Sequence, residues 1–351
     1  MAELFGKKIT KQELIERVGT IAQIAGVKKV RFADGPEEGV EACIFRTGSG
    51  LSFTVAAGRG MDISHADWCG RTLGFMTSVG EISSKYYEPE GKGWLRSFFG
   101  GLLTTCGLTQ VGSPCEDNEQ RLGLHGRISN IPSRNFCCGS EWQGDDYVLW
   151  AQGEVRETAF YGENLLLTRR ISAKLGENII WINDTVENQG FEPTPHMILY
   201  HFNAGFPCVD AGSKIILPTA SATPRDSGYS EDGYDIVGSP TTGCTERVYY
   251  HEMNSDANGK VTAGIVNPNI GDGFGFYIRY NKNELPFFTQ WKLEAPGKYV
   301  IGLEPGNCHV EGRVKERERG TLQMLSPGEK RSYSLEIGVI TSYKELESIT
   351  K

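Results

Sequence analysis

Six histidines occur in this 351-residue chain, at positions 65, 125, 196, 201, 251 and 309, and two of them sit where an imidazole could work. His201 ends the apolar run Met197-Ile-Leu-Tyr-His-Phe-Asn203. An imidazole is costly to bury there unless it is hydrogen-bonded or used, and the sequence leaves both roles open. His125 lies in Gly123-Leu124-His125-Gly126-Arg127-Ile128-Ser129-Asn130. Its flanking glycines lack Cβ atoms and tolerate positive φ, which would let a substrate reach the ring, although the same glycines also suit an ordinary turn. The carboxylate to set beside them is Glu304, between the strand-like Tyr299-Val-Ile-Gly-Leu303 and the turn Pro305-Gly306-Asn307. Partial burial would raise its pKa toward that of a useful general base, whereas a solvated turn residue would stay ordinary. Converging, two histidines and a carboxylate make a complete acid–base set.

A sugar site would add an aromatic platform and hydroxyl-binding side chains. Trp94 or Trp291, with Arg59, Asp62, Arg96 and Asn203, could supply them, and each could equally pack in a core or form an ion pair. No metal is expected: His196 and His201, five apart on a strand, would point to opposite faces, and nine cysteines with no C-x-x-C spacing suggest reduced thiols rather than a zinc cluster or disulfide framework. G-x-S-x-G, P-loop and G-x-G-x-x-G patterns are all missing, so hydrolase-triad, P-loop NTPase and dinucleotide readings lack their signals. Acid–base chemistry needs no cofactor, and none is expected. A net charge of −8 argues against nucleic acid as partner. The first ten residues hold no apolar core for a secretory signal. Residues 97–115 are uncharged but carry four glycines, five Ser/Thr, a Gln and a Pro, so no membrane span is expected. The expected location is the cytoplasm.

These groups must be held by strands. Residues 40–46, 51–57, 147–154, 164–173, 178–187, 197–202, 273–280, 287–293, 299–303 and 331–339 form β-prone runs, the last alternating Tyr333, Leu335, Ile337 and Val339 with Ser334, Glu336 and Gly338. With no helical period after Gly26, the pattern predicts an all-β chain, a sandwich or barrel, read as one domain over 1–351. Residues 1–26 are the exception. Thr10-Lys-Gln-Glu13 is a capping box, and Leu14, Val18, Ile21 and Ala25 recur at helical spacing, which predicts an N-terminal helical extension across a sheet edge or face. Residues 219–249, rich in Ser, Thr, Gly and Pro, read as a long surface excursion beside a cleft.

Leu124-His125-Gly126, Tyr200-His201-Phe202-Asn203 and Gly302-Leu303-Glu304-Pro305, in that order, resemble the galactose mutarotase (aldose 1-epimerase) superfamily. Glu13-Leu-Ile-Glu-Arg-Val-Gly19, Arg59-Gly-Met-Asp-Ile63, Gly100-Gly-Leu-Leu-Thr-Thr-Cys-Gly107 and Gly123–Asn130 look more closely like its aldose-1-epimerase-like branch of unknown function. The resemblance implies a large antiparallel β-sandwich with a sugar, the small-molecule partner, in an open cleft on one concave sheet, and it is compatible with a homo-oligomer. By the same resemblance Glu304 would take the proton of the C1 hydroxyl, His201 would protonate the ring oxygen, and His125 would bind and polarise the sugar. The Asn-Arg pair that precedes the first histidine motif in galactose mutarotases is missing here, with Gly100–Gly107 in the comparable region and Arg96 as the candidate replacement contact. The expected activity is mutarotase-like interconversion of sugar anomers; the alternatives are a non-catalytic carbohydrate-binding or sensing module and a sugar isomerase on the same scaffold.

Overall fold

The computed structural model describes residues 2–230, 232–342 and 345. Two antiparallel sheets share one apolar core. The first, the cleft sheet, runs from an edge at Thr219–Pro224 through Arg247–Met253, Phe287–Ala295, Lys298–Gly306, Thr194–Ala204, Leu103–Leu108, Asp62–Trp68, Leu51–Ala56 and Glu41–Arg46 to Gly26–Arg31. The second, the back sheet, has the order Arg134–Gln143, Asp146–Thr158, Asn164–Lys174, Ile179–Asn188, Lys330–Ile340, Phe274–Asn281, Lys260–Asn267, Lys214–Ile216. Of the sandwich or barrel left open by the strand runs, the large antiparallel β-sandwich that the resemblance implies is the observed architecture, and each of the ten runs overlaps a strand. Period-two burial drives it: Tyr333, Leu335, Ile337 and Val339 of one sheet and Ile198, Tyr200, Phe202 and Leu303 of the other enter the same core.

A buried polar knot ties the two sheets together beside the strand that carries His201. Arg169 Nη2 donates to Asp184 Oδ2 at 2.7 Å and Arg169 Nη1 to Asp62 Oδ1 at 3.1 Å, while the Tyr200 hydroxyl donates to Asp184 Oδ2 at 2.7 Å. Asp62 Oδ1 also accepts from Thr105 N and Oγ1 at 3.0 and 2.6 Å. Five strands are thereby fixed in register around Tyr200, the residue before His201.

Two sequence expectations change. The N-terminal extension is not one helix: a hairpin of Ala2–Leu4 and Lys7–Ile9 precedes a helix confined to Lys11–Ile15, and a separate 3-10 turn follows at Ile21–Gln23. The capping box is formed, with Thr10 Oγ1 accepting from Glu13 N at 3.2 Å. Gly19 is poorly suited to a helix interior, and the Thr20 hydroxyl starts a new turn by accepting from Ala22 N at 3.3 Å. The apolar spacing still serves one purpose, because Leu14, Val18, Ile21 and Ala25 all pack with Leu4 and Leu175. In the excursion, Thr219–Pro224 is an edge strand paired with Arg247–Met253, leaving 225–230 and 232–246 as loop.

Candidate active site

Along Thr194–Ala204 the even positions Ile198, Tyr200 and Phe202 face the core between the sheets, while Met197 and Leu199 lie on the outer face under a layer containing Trp94, Phe98 and Val310. His201 shares that outer face. The register pairs Phe202 with Leu303 and Asn203 with Gly302, which sets His201 opposite Glu304. Thr104 lies across from His201 on one side, and Thr289 across from Glu304 on the other. One polar row, Thr104, His201, Glu304, Thr289, therefore crosses four strands, and His201 Nε2 lies 3.2 Å from Glu304 Oε1.

His125 reaches this row from a loop. Its N–H donates to Gly112 O at 2.9 Å, and its carbonyl accepts from Gly107 N at 3.1 Å. Its φ is 57°, a left-handed value unusual for a side-chain-bearing residue. The flanking glycines serve the protein's own backbone and not an approaching ligand: a Cβ on Gly123 would lie 2.1 Å from Pro89 O, and one on Gly126 2.4 Å from Gly107 O. This corrects the expectation that they clear space for substrate. Glu157 braces the neighbouring strand end, accepting from Leu108 N at 2.7 Å and Thr109 Oγ1 at 2.5 Å. The His125 ring then stands edge-on to His201, centroids 6.0 Å apart, and 4.7 Å from Trp94.

Above the row opens a cleft of about 540 Å³, a size typical of small-molecule sites. Trp94, Phe98, Leu124, Val248, Trp291 and Val310 form its apolar walls. At the rim Arg225 bonds Asp226 and Glu246, and Glu246 accepts from Trp291 Nε1 at 3.1 Å, which holds that indole in place. Burial raises the pKa of Glu304 well above its ordinary value; the nearby Glu246 adds to the rise and Arg225 opposes it. The histidines move the other way. Burial lowers His201 to about 3, with His125 contributing, and lowers His125 to about 4.

Four buried side-chain atoms in this cleft have no hydrogen-bond partner: His125 Nδ1, His201 Nδ1, Thr289 Oγ1 and Glu304 Oε1. The short His201–Glu304 contact is close enough for an ion pair but is not aligned as a hydrogen bond. Buried polar atoms are normally paired, so a row of unpaired ones suits a polar ligand.

Of the residues considered as sugar contacts, Trp94 and Trp291 line the cleft and four others do not. Arg96 is exposed and lies 3.4 Å from Glu88. Arg59 is buried, its guanidinium taken up by the carbonyls of Ser129, Ile82 and Ser97 at 2.9, 2.6 and 2.7 Å. Asp62 belongs to the Arg169 knot, and Asn203 Nδ2 donates to Gly100 O and His201 O at 3.3 and 3.0 Å. Arg59, Asp62 and Asn203 are committed to holding the fold. Sequence reasoning missed Thr289, although it lies two residues before Trp291 on the same strand face, and missed the Arg225, Asp226 and Glu246 rim. Among the described residues no three His, Cys, Asp or Glu side chains are grouped to hold a metal ion, and no helix is long and apolar enough to cross a membrane.

The chain is similar in structure to a candidate aldose 1-epimerase from Klebsiella pneumoniae subsp. pneumoniae, with a TM-score of 0.86 and 24% identity over 92% of this chain and 85% of that one. A galactose mutarotase-like protein from Clostridium acetobutylicum matches with a TM-score of 0.60 and 12% identity over 90% of this chain and 98% of that one. Galactose 1-epimerase from Lactobacillus acidophilus matches with a TM-score of 0.56 and 12% identity, covering 90% and 99%. These likenesses establish a galactose mutarotase-like fold. No curated protein matches the chain. Residues 37–339 match the family model described as domain of unknown function DUF4432, and the chain belongs to that family.

Proposed function

We propose that this protein is a mutarotase-like enzyme that interconverts the anomers of a free or lightly modified monosaccharide. The observation that carries the reading is the row of unpartnered atoms on His125, His201, Thr289 and Glu304 at the floor of one aromatic-walled cleft. The likeness to a galactose 1-epimerase supports the reaction class. Nine unbridged cysteines suit a reducing compartment such as the cytoplasm, and we read the whole chain as one catalytic unit.

Glu304 and His201 share one proton in this scheme. Glu304, as carboxylate, takes the proton of the anomeric hydroxyl; His201, as imidazolium, gives its proton to the ring oxygen. The electron pair of the bond from C1 to the ring oxygen leaves with that oxygen while the anomeric oxygen becomes a carbonyl. The pair is then a carboxylic acid beside a neutral imidazole. After C1 rotates, the freed hydroxyl attacks C1 and gives its proton back to His201 while Glu304 returns its proton to the carbonyl oxygen, closing the ring in either configuration. Burial favours the neutral form of both groups, so the free site leans toward the protonation state that ring opening generates, and the pair titrates as a unit. His125 donates toward the ring oxygen, and Trp291 packs the sugar's apolar face.

Exchange NMR between anomers of a panel of aldoses, with E304Q and H201N beside the wild type, tests this. Equal exchange in all three proteins overturns the catalytic roles. Binding without exchange in the wild type selects the sensing module instead.

A further inference from the structure

Gly302 stands two residues before Glu304 on Lys298–Gly306, so both project to the outer face of the cleft sheet. Its neighbours in register are Asn203 and Trp291. Glycine is not needed here for its backbone, which is not left-handed, and glycine inside a strand is otherwise unfavourable. The need is for space. A Cβ at this position would lie 2.3 Å from Glu304 Oε1 and 3.0 Å from Trp291 Cβ. Glu304 therefore folds back along its own strand and rests over residue 302, the placement in which Oε1 comes within 3.2 Å of His201 Nε2.

We propose that Gly302 is a positioning residue for Glu304: by carrying no side chain it reserves the hollow that holds the carboxylate against His201, and any larger residue would drive that carboxylate toward the cleft mouth. The kinetic consequence rests on the catalytic reading of Glu304, while the placement itself does not. The closest clash is with the end of a flexible side chain, so the expected response is a displaced carboxylate in a folded protein.

Gly302→Ala tests it with three readouts. Anomer exchange is expected to fall about 100-fold in kcat, the scale of a 1 Å misplacement of a reacting group, with KM nearly unchanged. In protein labelled with 13C at the glutamate carboxyls, Glu304 is expected to titrate at lower pH than in wild type, because it has left its buried hollow. Should Gly302→Ala fold poorly, Gly302→Ala with Glu304→Ala is expected to recover the melting temperature of Glu304→Ala alone. Wild-type kcat in Gly302→Ala, an unchanged Glu304 titration, or no recovery in the double variant each overturns the proposal. A wild-type protein without anomer exchange overturns the functional reading instead, and the titration then decides the placement by itself.

Discussion

Glu304→Gln is expected to change activity and stability in opposite directions. The side chain is 2% exposed, its Oε1 has no hydrogen-bond partner, and it faces an imidazole that burial keeps neutral. The amide keeps the shape and cannot exchange the proton. A single acid or base is worth roughly 10²–10⁴ in rate, and Glu304 acts in both halves of the cycle, so the upper part of that range is expected, about 4–5 kcal/mol of barrier. For stability the sign follows from the raised pKa. A carboxyl that titrates higher folded than unfolded contributes most below its unfolded value and loses that contribution as pH rises through the folded one. Wild type thus loses stability relative to the amide from about pH 4.5, the ordinary glutamate value, upward, at about 1.4 kcal/mol per pH unit until Glu304 ionises in the folded state.

Polarimetry or exchange NMR measures the rate, and paired thermal melts from pH 4 to pH 9 measure the difference in stability. The two proteins should melt together at the acid end, and the variant should melt progressively higher toward the alkaline end. Glu304→Gln with a rate within about tenfold of wild type would put the variant outside the general acid–base range and refute the chemical role. A melting difference independent of pH would refute the buried, pKa-raised carboxylate on which the scheme depends.

Three further outcomes are expected. His125→Asn should raise KM about tenfold, the loss of one hydrogen bond of about 1.4 kcal/mol, with a smaller effect on kcat, as steady-state kinetics would read. Arg96→Ala should leave both constants and the melting temperature near wild type, because its exposed pairing with Glu88 is the kind worth at most about 1 kcal/mol; a large loss of activity would return Arg96 to the site. Arg169→Met should destabilise by about 3–5 kcal/mol in chemical denaturation, since Asp62 and Asp184 would be left buried without their cation.

Strand positions were legible because burial alternates along them, and Tyr333, Leu335, Ile337 and Val339 show why: one face must enter the core and the other need not. His201 and Glu304 could be named from their places beside apolar runs, but their opposition across two strands depends on a register that pairs residues about a hundred positions apart. Arg59 and Asp62 misled for a related reason. Buried arginine and aspartate look alike in sequence whether they await a ligand or hold carbonyls and each other, and only the partners distinguish the two. The single long helix expected at the N-terminus failed on a local detail, Gly19-Thr20, where a helix-breaking residue and a capping hydroxyl outweigh apolar spacing that remains useful for packing.

The position of the cleft follows from how the strand Thr194–Ala204 is built. It is apolar on both faces, so its outer face has to be covered, and Trp94, Phe98, Cys308 and Val310 cover it over Met197 and Leu199. That cover stops short of the next outer position, His201, where the polar row begins. Elsewhere, buried charge is matched: Arg169 bonds two aspartates, Arg313 bonds Asp117 at 2.7 Å and Gln120 at 2.5 Å, and Arg59 is saturated by carbonyls. Among the described residues ten buried polar side-chain atoms go unpaired, and four of them meet at this one cleft while the other six lie on residues outside its lining. Unpaired buried polar groups cost about 1–3 kcal/mol each, and no other place among the described residues gathers that cost on the lining of a cleft.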